Sequence, residues 1–203
     1  MSGLPQVDHY KQERGLIEVF TNLSGSYRST EDVATRINVS MAKNESSWVL
    51  SNLAALYWRI YGEGELAVDC LKHALYFSDS SNKEVALVSL ANVLYRMGYE
   101  SDATAVMQHS LEVNPKLVVN HFTMANLLAA RGFAAESASY FEATLQFQPG
   151  FEPAAERLQA VRCITLLKHI QMKREKEEKR QREYEAELEK QLYEHRKKLG
   201  HFD

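Results

Sequence analysis

Three stretches of this chain repeat one pattern of small and large apolar residues, and this repetition is what most constrains the fold. In each stretch a glycine is followed five residues later by a small residue and nine residues later by a large apolar residue. The three sets are Gly62, Ala67, Leu71; Gly98, Ala103, Met107; and Gly132, Ser137, Phe141. The second and third sets are offset by 34 residues and the first and second by 36, with the two extra residues in a turn at 78–82. A period of this length predicts stacked structural repeats.

The spacing within each stretch is helical. Glycine can adopt the positive φ that ends a helix, so each repeat is predicted to hold two antiparallel helices. Ala67, Leu71, Ala74 and Leu75 fall at i, i+4, i+7 and i+8, and the later stretches repeat this stripe. One helix pair cannot cover its own stripe, so the pairs are expected to stack. The predicted fold class is therefore all-α, a helix-turn-helix solenoid.

The period, the small residues at the helix crossing and the closing Pro115 and Pro149 resemble the tetratricopeptide repeat (TPR) family. The runs 47–60, 82–94 and 149–163 are similar to the first repeat cluster of a much longer member, over about residues 46 to 200. The resemblance implies that the chain is a fragment of a non-catalytic protein–protein interaction scaffold. It further implies an adaptor role in actin filament polymerisation and cilium organisation, with actin-regulatory or ciliary proteins as partners and a cytoplasmic, cytoskeletal location.

The repeats predict three regions. Residues 48–152 hold three repeats, at 48–81, 84–117 and 118–151. Residues 1–47 are interpreted as a degenerate helix pair that caps the open end, because Val33 and Ile37 lie 34 residues before Ala67 and Leu71. A turn is predicted at 24–29 between the two helices of this cap.

Residues 153–203 are predicted to form a capping helix that continues as a long charged helix. Its stretch from Ala154 to Leu199 contains neither proline nor glycine. We expect its first apolar residues to pack on the last repeat; they are Leu158, Val161, Ile164 and Leu167 or Ile170. Beyond them the helix is either solvated on all sides or a coiled coil that self-associates through 173–199, with Tyr184, Leu188 and Leu192 at the seam.

The candidate binding site is the groove lined by the first helix of each repeat. Asn92 and Asn126 occupy the same first-helix position one repeat apart, and Asn52 lies on the first helix before them. A carboxamide both donates and accepts hydrogen bonds, which suits the backbone of an extended peptide. The alternative is that asparagine is simply common at this TPR position. The predicted site is completed by four further residues: Arg59, Tyr95, Arg96 and Phe122.

Chaperone-binding TPR domains hold a terminal carboxylate with Lys and Arg on successive first helices. At the corresponding positions the resemblance places apolar or neutral residues in this chain: Val49, Asn52, Val85, Val88, Val119 and Phe122. That carboxylate clamp is therefore expected to be absent. The predicted partners are other proteins or extended peptides.

Charge and composition argue against several other functions. Residues 48–152 carry 6 Lys and Arg against 11 Asp and Glu, and residues 153–203 carry 13 against 10. An acidic repeat block does not favour nucleic acid or an anionic membrane surface. Direct membrane insertion is not expected, because no apolar run approaches the length of about 18 residues that a spanning helix needs. The histidines and the two cysteines, Cys70 and Cys163, lack metal-ligand spacing, and the cysteines are interpreted as packing residues. We expect no metal, cofactor or catalytic residue, and therefore no enzyme.

Three N-glycosylation acceptor patterns leave the location open. Asn22, Asn38 and Asn44 each stand two residues before a serine. If the complete protein has a signal peptide, the repeats belong in the secretory lumen, as an adaptor that binds client proteins. The alternative remains the cytoplasmic location.

Overall fold

A computed structural model describes residues 10–23 and 29–200 of the chain. Within these ranges the secondary structure is helical, without strands. In the described part of the chain a 3₁₀ turn, Arg14–Leu16, leads into nine α-helices: α1 Ile17–Asn22, α2 Thr30–Met41, α3 Trp48–Tyr61, α4 Gly64–Phe77, α5 Lys83–Arg96, α6 Glu100–Val113, α7 Val118–Ala130, α8 Ala134–Phe147 and α9 Glu152–Lys198. The pairs α3–α4, α5–α6 and α7–α8 form the repeats.

The three repeat turns share one geometry. Gly62, Gly98 and Gly132 have φ of 88°, 86° and 84°, the left-handed region in which only glycine is unstrained. After each glycine, the next backbone N–H donates to a carbonyl five residues earlier, at 2.9 Å in all three turns. This closing bond is typical of a Schellman helix end. Because the turns are alike, each second helix folds back on its first helix in the same way.

Burial follows the repeat pattern. Three positions of the second helix have no exposed surface in any repeat. They are the small residue after the turn (Ala67, Ala103, Ser137), the large apolar residue four positions later (Leu71, Met107, Phe141) and the residue three positions after that (Ala74, Ser110, Thr144). Buried hydroxyls in the third repeat are satisfied locally, since Ser137 Oγ donates to Ala125 O of the facing helix at 2.8 Å. The predicted all-α TPR solenoid is confirmed.

The residues before the first repeat depart from the repeat geometry at α1. In α2, Val33 and Ile37 are buried against α3, as their spacing from Ala67 and Leu71 suggests. Helix α1 runs in the opposite direction to α3: Glu13 lies beside Arg59, and Leu23 lies beside Leu50 and Leu53. First helices of successive TPR repeats point the same way, so α1 does not reproduce a repeat. The turn predicted at 24–29 lies, apart from Ser29, outside the described residues, and the capping role of 1–47 stays a prediction.

Helix α9 leaves the stack earlier than the sequence pattern suggests. Ala154, Leu158 and Val161 pack against α8 and are buried. The expected packing of Ile164, Leu167 and Ile170 is wrong, because their exposed fractions are 49%, 60% and 40%. Helix α8 has 14 residues and α9 has 47, about 21 Å against 70 Å, so most of α9 has no neighbouring helix to pack on.

The two cysteines differ. Cys70 is half-buried beside the first repeat core, whereas Cys163 is exposed on α9. The interpretation of Cys163 as a packing residue is therefore wrong, for the same reason as Ile164. Burial raises the pKa of the Cys70 thiol, with a further contribution from the charge of Asp69.

We predict that Ala103→Trp destabilises the stack, because Ala103 has no exposed surface at a close helix crossing. Overpacking of this kind costs about 1–3 kcal/mol or more, so urea unfolding should shift to lower midpoint. The matched control is Ala105→Trp, whose position on the same helix is exposed and should tolerate the ring. Equal midpoints for the two variants would contradict the assigned packing.

We also predict that a variant ending at Gln171 keeps the melting temperature of the full chain, because α9 is exposed throughout from Arg162. A variant ending at Pro153 should aggregate, since it uncovers Phe141. Light scattering during a thermal melt measures both outcomes. Early melting of the first variant would show that the tail stabilises the repeats.

Sedimentation of the variant ending at Gln171 also tests self-association through 173–199. Tyr184, Leu188 and Leu192 are 65%, 45% and 50% exposed and lie at helical spacing. A dimer that disappears with the tail supports the coiled coil. Equal oligomerisation with and without the tail excludes it.

Candidate peptide-binding groove

The first helices α3, α5 and α7 share one face whose side chains are exposed or only partly buried at the edge of the repeat core. On α5, Val85, Val88, Asn92 and Arg96 share this face at three- and four-residue spacing, and none of them is buried. The corresponding residues of α7 are Val119, Phe122 and Asn126. We define the groove as this face of α3, α5 and α7.

In each groove asparagine one polar atom of the side-chain amide already forms a hydrogen bond. Asn52 Nδ2 donates to Trp48 O, and Asn92 Nδ2 donates to Val88 O, both at 3.0 Å within the same helix. Within the described residues we find no other hydrogen bond to these two side chains, so each keeps an oxygen and one N–H for a ligand. Asn126 differs, because its Oδ1 accepts a hydrogen bond from Arg157 of α9.

An aromatic cluster closes the groove at α7. The ring of Phe122 contacts Phe141 and Phe151 edge to face, with centroids 5.9 and 4.9 Å apart. The Arg157 guanidinium lies 4.9 Å from the Phe122 ring centroid, a cation–π contact. Arg157 therefore connects Phe122 to Asn126. Tyr95 is half-buried against the core of the second repeat and offers only part of its ring to the groove.

The two arginines of the predicted site lie in the last turns of α3 and α5 and meet at Glu13. Arg59 is 7% exposed, and its Nε and Nη2 donate to the two carboxylate oxygens of Glu13 at 2.8 and 2.9 Å. Its Nη1 donates to Ser89 Oγ at 2.8 Å. Arg96 Nε lies 3.5 Å from the same carboxylate and its Nη2 donates to Lys11 O at 3.2 Å. Arg59 is thus already engaged by its own chain.

These contacts hold Glu13 as a carboxylate. Burial alone would raise the pKa of Glu13, but hydrogen bonds and positive charge from Arg59, with help from the Tyr10 hydroxyl and Arg96, leave it below the usual value. Burial alone would lower the pKa of Arg59, and Glu13 more than reverses this. Burial raises the pKa of Tyr10, as do the hydrogen bond to Glu13 and its charge. Glu13 and Arg59 are therefore both charged at neutral pH.

Residues 10–13, which we call the strap, also fill an apolar pocket. Tyr10 is 9% exposed and packs with Ala67 and Met97 in the core between the first two repeats. A Cβ at Gly64 would lie 2.9 Å from the Tyr10 ring, so only glycine leaves room for it. The repeat-equivalent residues are Glu100 and Ala134.

Sequence reasoning identified the groove helices but missed the residues that engage Arg59. Glu13 and Ser89 lie 46 and 30 positions away from Arg59, and no repeat pattern links them. One signal was present: Gly64 is a glycine in the first turn of α4, where the other repeats have larger residues. An unusual glycine at such a place indicates a close approach by another part of the chain.

Residues 10–23 and 29–200 contain neither a metal-binding cluster nor a membrane-spanning helix. No group of three or more His, Cys, Asp or Glu in this part could hold a metal ion. Among the same residues, no helix is long and apolar enough to cross a membrane.

The chain is similar to tetratricopeptide repeat protein 17 of several vertebrates. It is 41% identical to the rat and human proteins and 42% identical to the zebrafish protein, in each case over 163 residues. The matched region is 79% of this chain but only 14% of each relative. No protein-family model matches the chain.

Solved structures support the fold at low identity. MamA has a TM-score of 0.58 at 13% identity, covering 70% of this chain and 80% of MamA. The first TPR of Spaghetti (RPAP3) bound to the HSP90 peptide SRMEEVD has a TM-score of 0.54 at 15% identity, covering 59% and 93%. YrrB, a TPR protein with an unusual peptide-binding site, has a TM-score of 0.54 at 16% identity, covering 75% of each chain. With the three-repeat geometry and the 41% identity over 163 residues, these matches show that the chain belongs to the tetratricopeptide repeat family.

Proposed function

We propose that this chain is a protein–protein interaction scaffold whose groove captures an extended segment of another protein. The observation that carries the proposal is the pair Asn92 and Asn126, one repeat apart on the same groove face. An extended strand rises about 3.3 Å per residue and packed helices lie about 8–10 Å apart, so amides on neighbouring first helices can reach backbone groups about three residues apart in one peptide. Phe122 and Tyr95 supply apolar contact for its side chains.

The two amides would act differently. Asn92 keeps its oxygen and one N–H for the peptide backbone, because its other N–H is bonded to Val88 O. Asn126 Oδ1 already accepts a hydrogen bond from Arg157, so this side chain would offer its N–H groups to a peptide carbonyl. Peptide binding by the RPAP3 domain, which carries the HSP90 peptide, supports this use of a TPR surface.

For the complete protein we propose an adaptor role in actin filament polymerisation and cilium organisation, with actin-regulatory or ciliary proteins as partners. This role comes from the similarity to tetratricopeptide repeat protein 17. The chain spans 14% of those relatives, so it would supply one interaction module of a longer adaptor. We propose a cytoplasmic, cytoskeletal location and no catalytic activity for it.

We predict that Asn92→Ala/Asn126→Ala weakens partner capture by about 10- to 100-fold, since each net hydrogen bond contributes about 0.5–1.5 kcal/mol. Stability should change little, because neither side chain is buried. Quantitative cross-linking of partners from ciliated cells measures the effect. Asn44→Ala/Asn82→Ala, two asparagines outside the groove, is the matched control, and equal capture by both variants would contradict the groove proposal.

A second candidate is a secretory-pathway luminal adaptor that binds client proteins. The observation in its favour is that Asn22, Asn38 and Asn44 are all exposed, so the folded protein has room for a bulky glycan at each. The serine of the first pattern, Ser24, lies outside the described residues. The same groove would then bind client segments in the lumen.

Glycosidase treatment separates the two locations. For a luminal protein we predict that the protein purified from its native cells loses mass on treatment, and that Asn38→Gln and Asn44→Gln each remove part of the loss. Ser40→Thr, which preserves an acceptor pattern, is the matched control. A mass unchanged by glycosidase would contradict the luminal candidate.

A further inference from the structure

The strap is held in the manner of a bound peptide. The strap is not helical. Its backbone forms two hydrogen bonds to the repeats: Glu13 N–H donates to Arg59 O at 3.0 Å, and Lys11 O accepts one from Arg96. Between these, Gln12 Nε2 donates to Tyr61 O at 3.4 Å. Two side chains anchor it, Tyr10 in the pocket beside Gly64 and Glu13 on the arginines. Backbone bonds with side-chain pockets are the usual means of peptide recognition.

The surface that receives the strap is particular to the first two repeats. A Cβ at Gly62 would lie 3.1 Å from the Tyr10 carbonyl and from Gln12, whereas a Cβ at Gly98 or Gly132 would meet nothing within 4 Å. The repeats are otherwise equivalent at these turns. The Gly62 and Gly64 surfaces are therefore shaped for an extended chain passing over them.

The charge of this surface favours a carboxylate. Arg59 is almost fully buried, and a buried arginine without its partner is strongly unfavourable. Ser89 is neutral and cannot compensate it, and Arg96 adds a second positive charge. If the strap leaves, another carboxylate must take its place or the site must open to water.

We propose that Arg59, Ser89 and Arg96, together with the pocket at Gly64, form a binding site for a partner's peptide that has an aromatic residue three positions before a glutamate. The strap is the internal competitor for this site. The inference rests on the proposed role as a peptide-binding scaffold, but it does not involve Asn92 or Asn126. A tethered competitor acts at an effective concentration on the order of millimolar, so the strap sets the affinity a partner peptide needs.

Strap exchange can be measured with the full chain and a peptide of its own sequence. The probe is a fluorescein-labelled, amidated peptide of residues 7–16, and the readout is fluorescence anisotropy. The variant Tyr10→Ala/Glu13→Ala removes both strap anchors, and we expect it to bind the probe roughly tenfold or more tightly than the wild type does. A probe carrying the same two substitutions should not bind.

The matched control is Lys11→Ala/Arg14→Ala, which changes one exposed side chain within the strap and one directly after it and should bind the probe no better than the wild type. Adding Arg59→Gln to the open variant should abolish binding. Absence of probe binding to a folded open variant, or equal binding to both forms, overturns the proposal and makes the strap a purely structural element.

A measurement on the wild type covers the case in which the open variant does not fold. Millimolar probe should displace the strap and speed amide hydrogen exchange of residues 10–16, whereas the doubly substituted probe should not. An unchanged rate of amide hydrogen exchange in residues 10–16 at millimolar probe overturns the proposal. Because the probe meets neither Asn92 nor Asn126, this failure leaves the groove proposal standing, and failure of the groove test leaves the strap site standing.

Discussion

The close crossing of two helices within each repeat is the constraint on which the rest of the structure depends. It requires a small residue at Ala67, Ala103 and Ser137 and a left-handed glycine before it, so that the second helix returns directly on the first. A pair built in this way covers only part of its apolar stripe. The remainder is covered by the next pair around Leu71 and Met107 and by α9 around Phe141, and the solenoid follows from this requirement.

At the two ends of the stack, different elements cover the apolar residues that no further repeat covers. At the C-terminal end, Ala154, Leu158 and Val161 of α9 cover the last stripe, and the helix then extends away from the stack. At the N-terminal end, α2 provides Val33 and Ile37, while the reversed α1 adds Phe20 to the same cluster. A terminal element needs only an apolar face of the right size, so it is free to depart from the repeat.

The ion pair of Glu13 and Arg59 adds a different kind of specificity. Apolar burial is tolerant of partner identity, whereas a buried arginine bonded to two carboxylate oxygens accepts few alternatives. The first-helix face thus has two regions of different chemistry. One region, around Asn92 and Phe122, carries amide and aromatic groups, and in the other Arg59 and Arg96 face the carboxylate of Glu13.

The sequence alone determined the repeat fold and the helices that line the groove, because both follow from local spacing: the glycine turns, the small crossing residues and the 34-residue period. Of the site, it identified Asn92, Asn126 and Phe122 as sharing one face, which is a matter of helical periodicity. Only the tertiary structure decided the direction of α1, the place where α9 leaves α8, and the engagement of Arg59 by Glu13. Each of these depends on contacts between residues far apart in the chain, whose free energy is set by burial and charge pairing in three dimensions and leaves no period in the sequence.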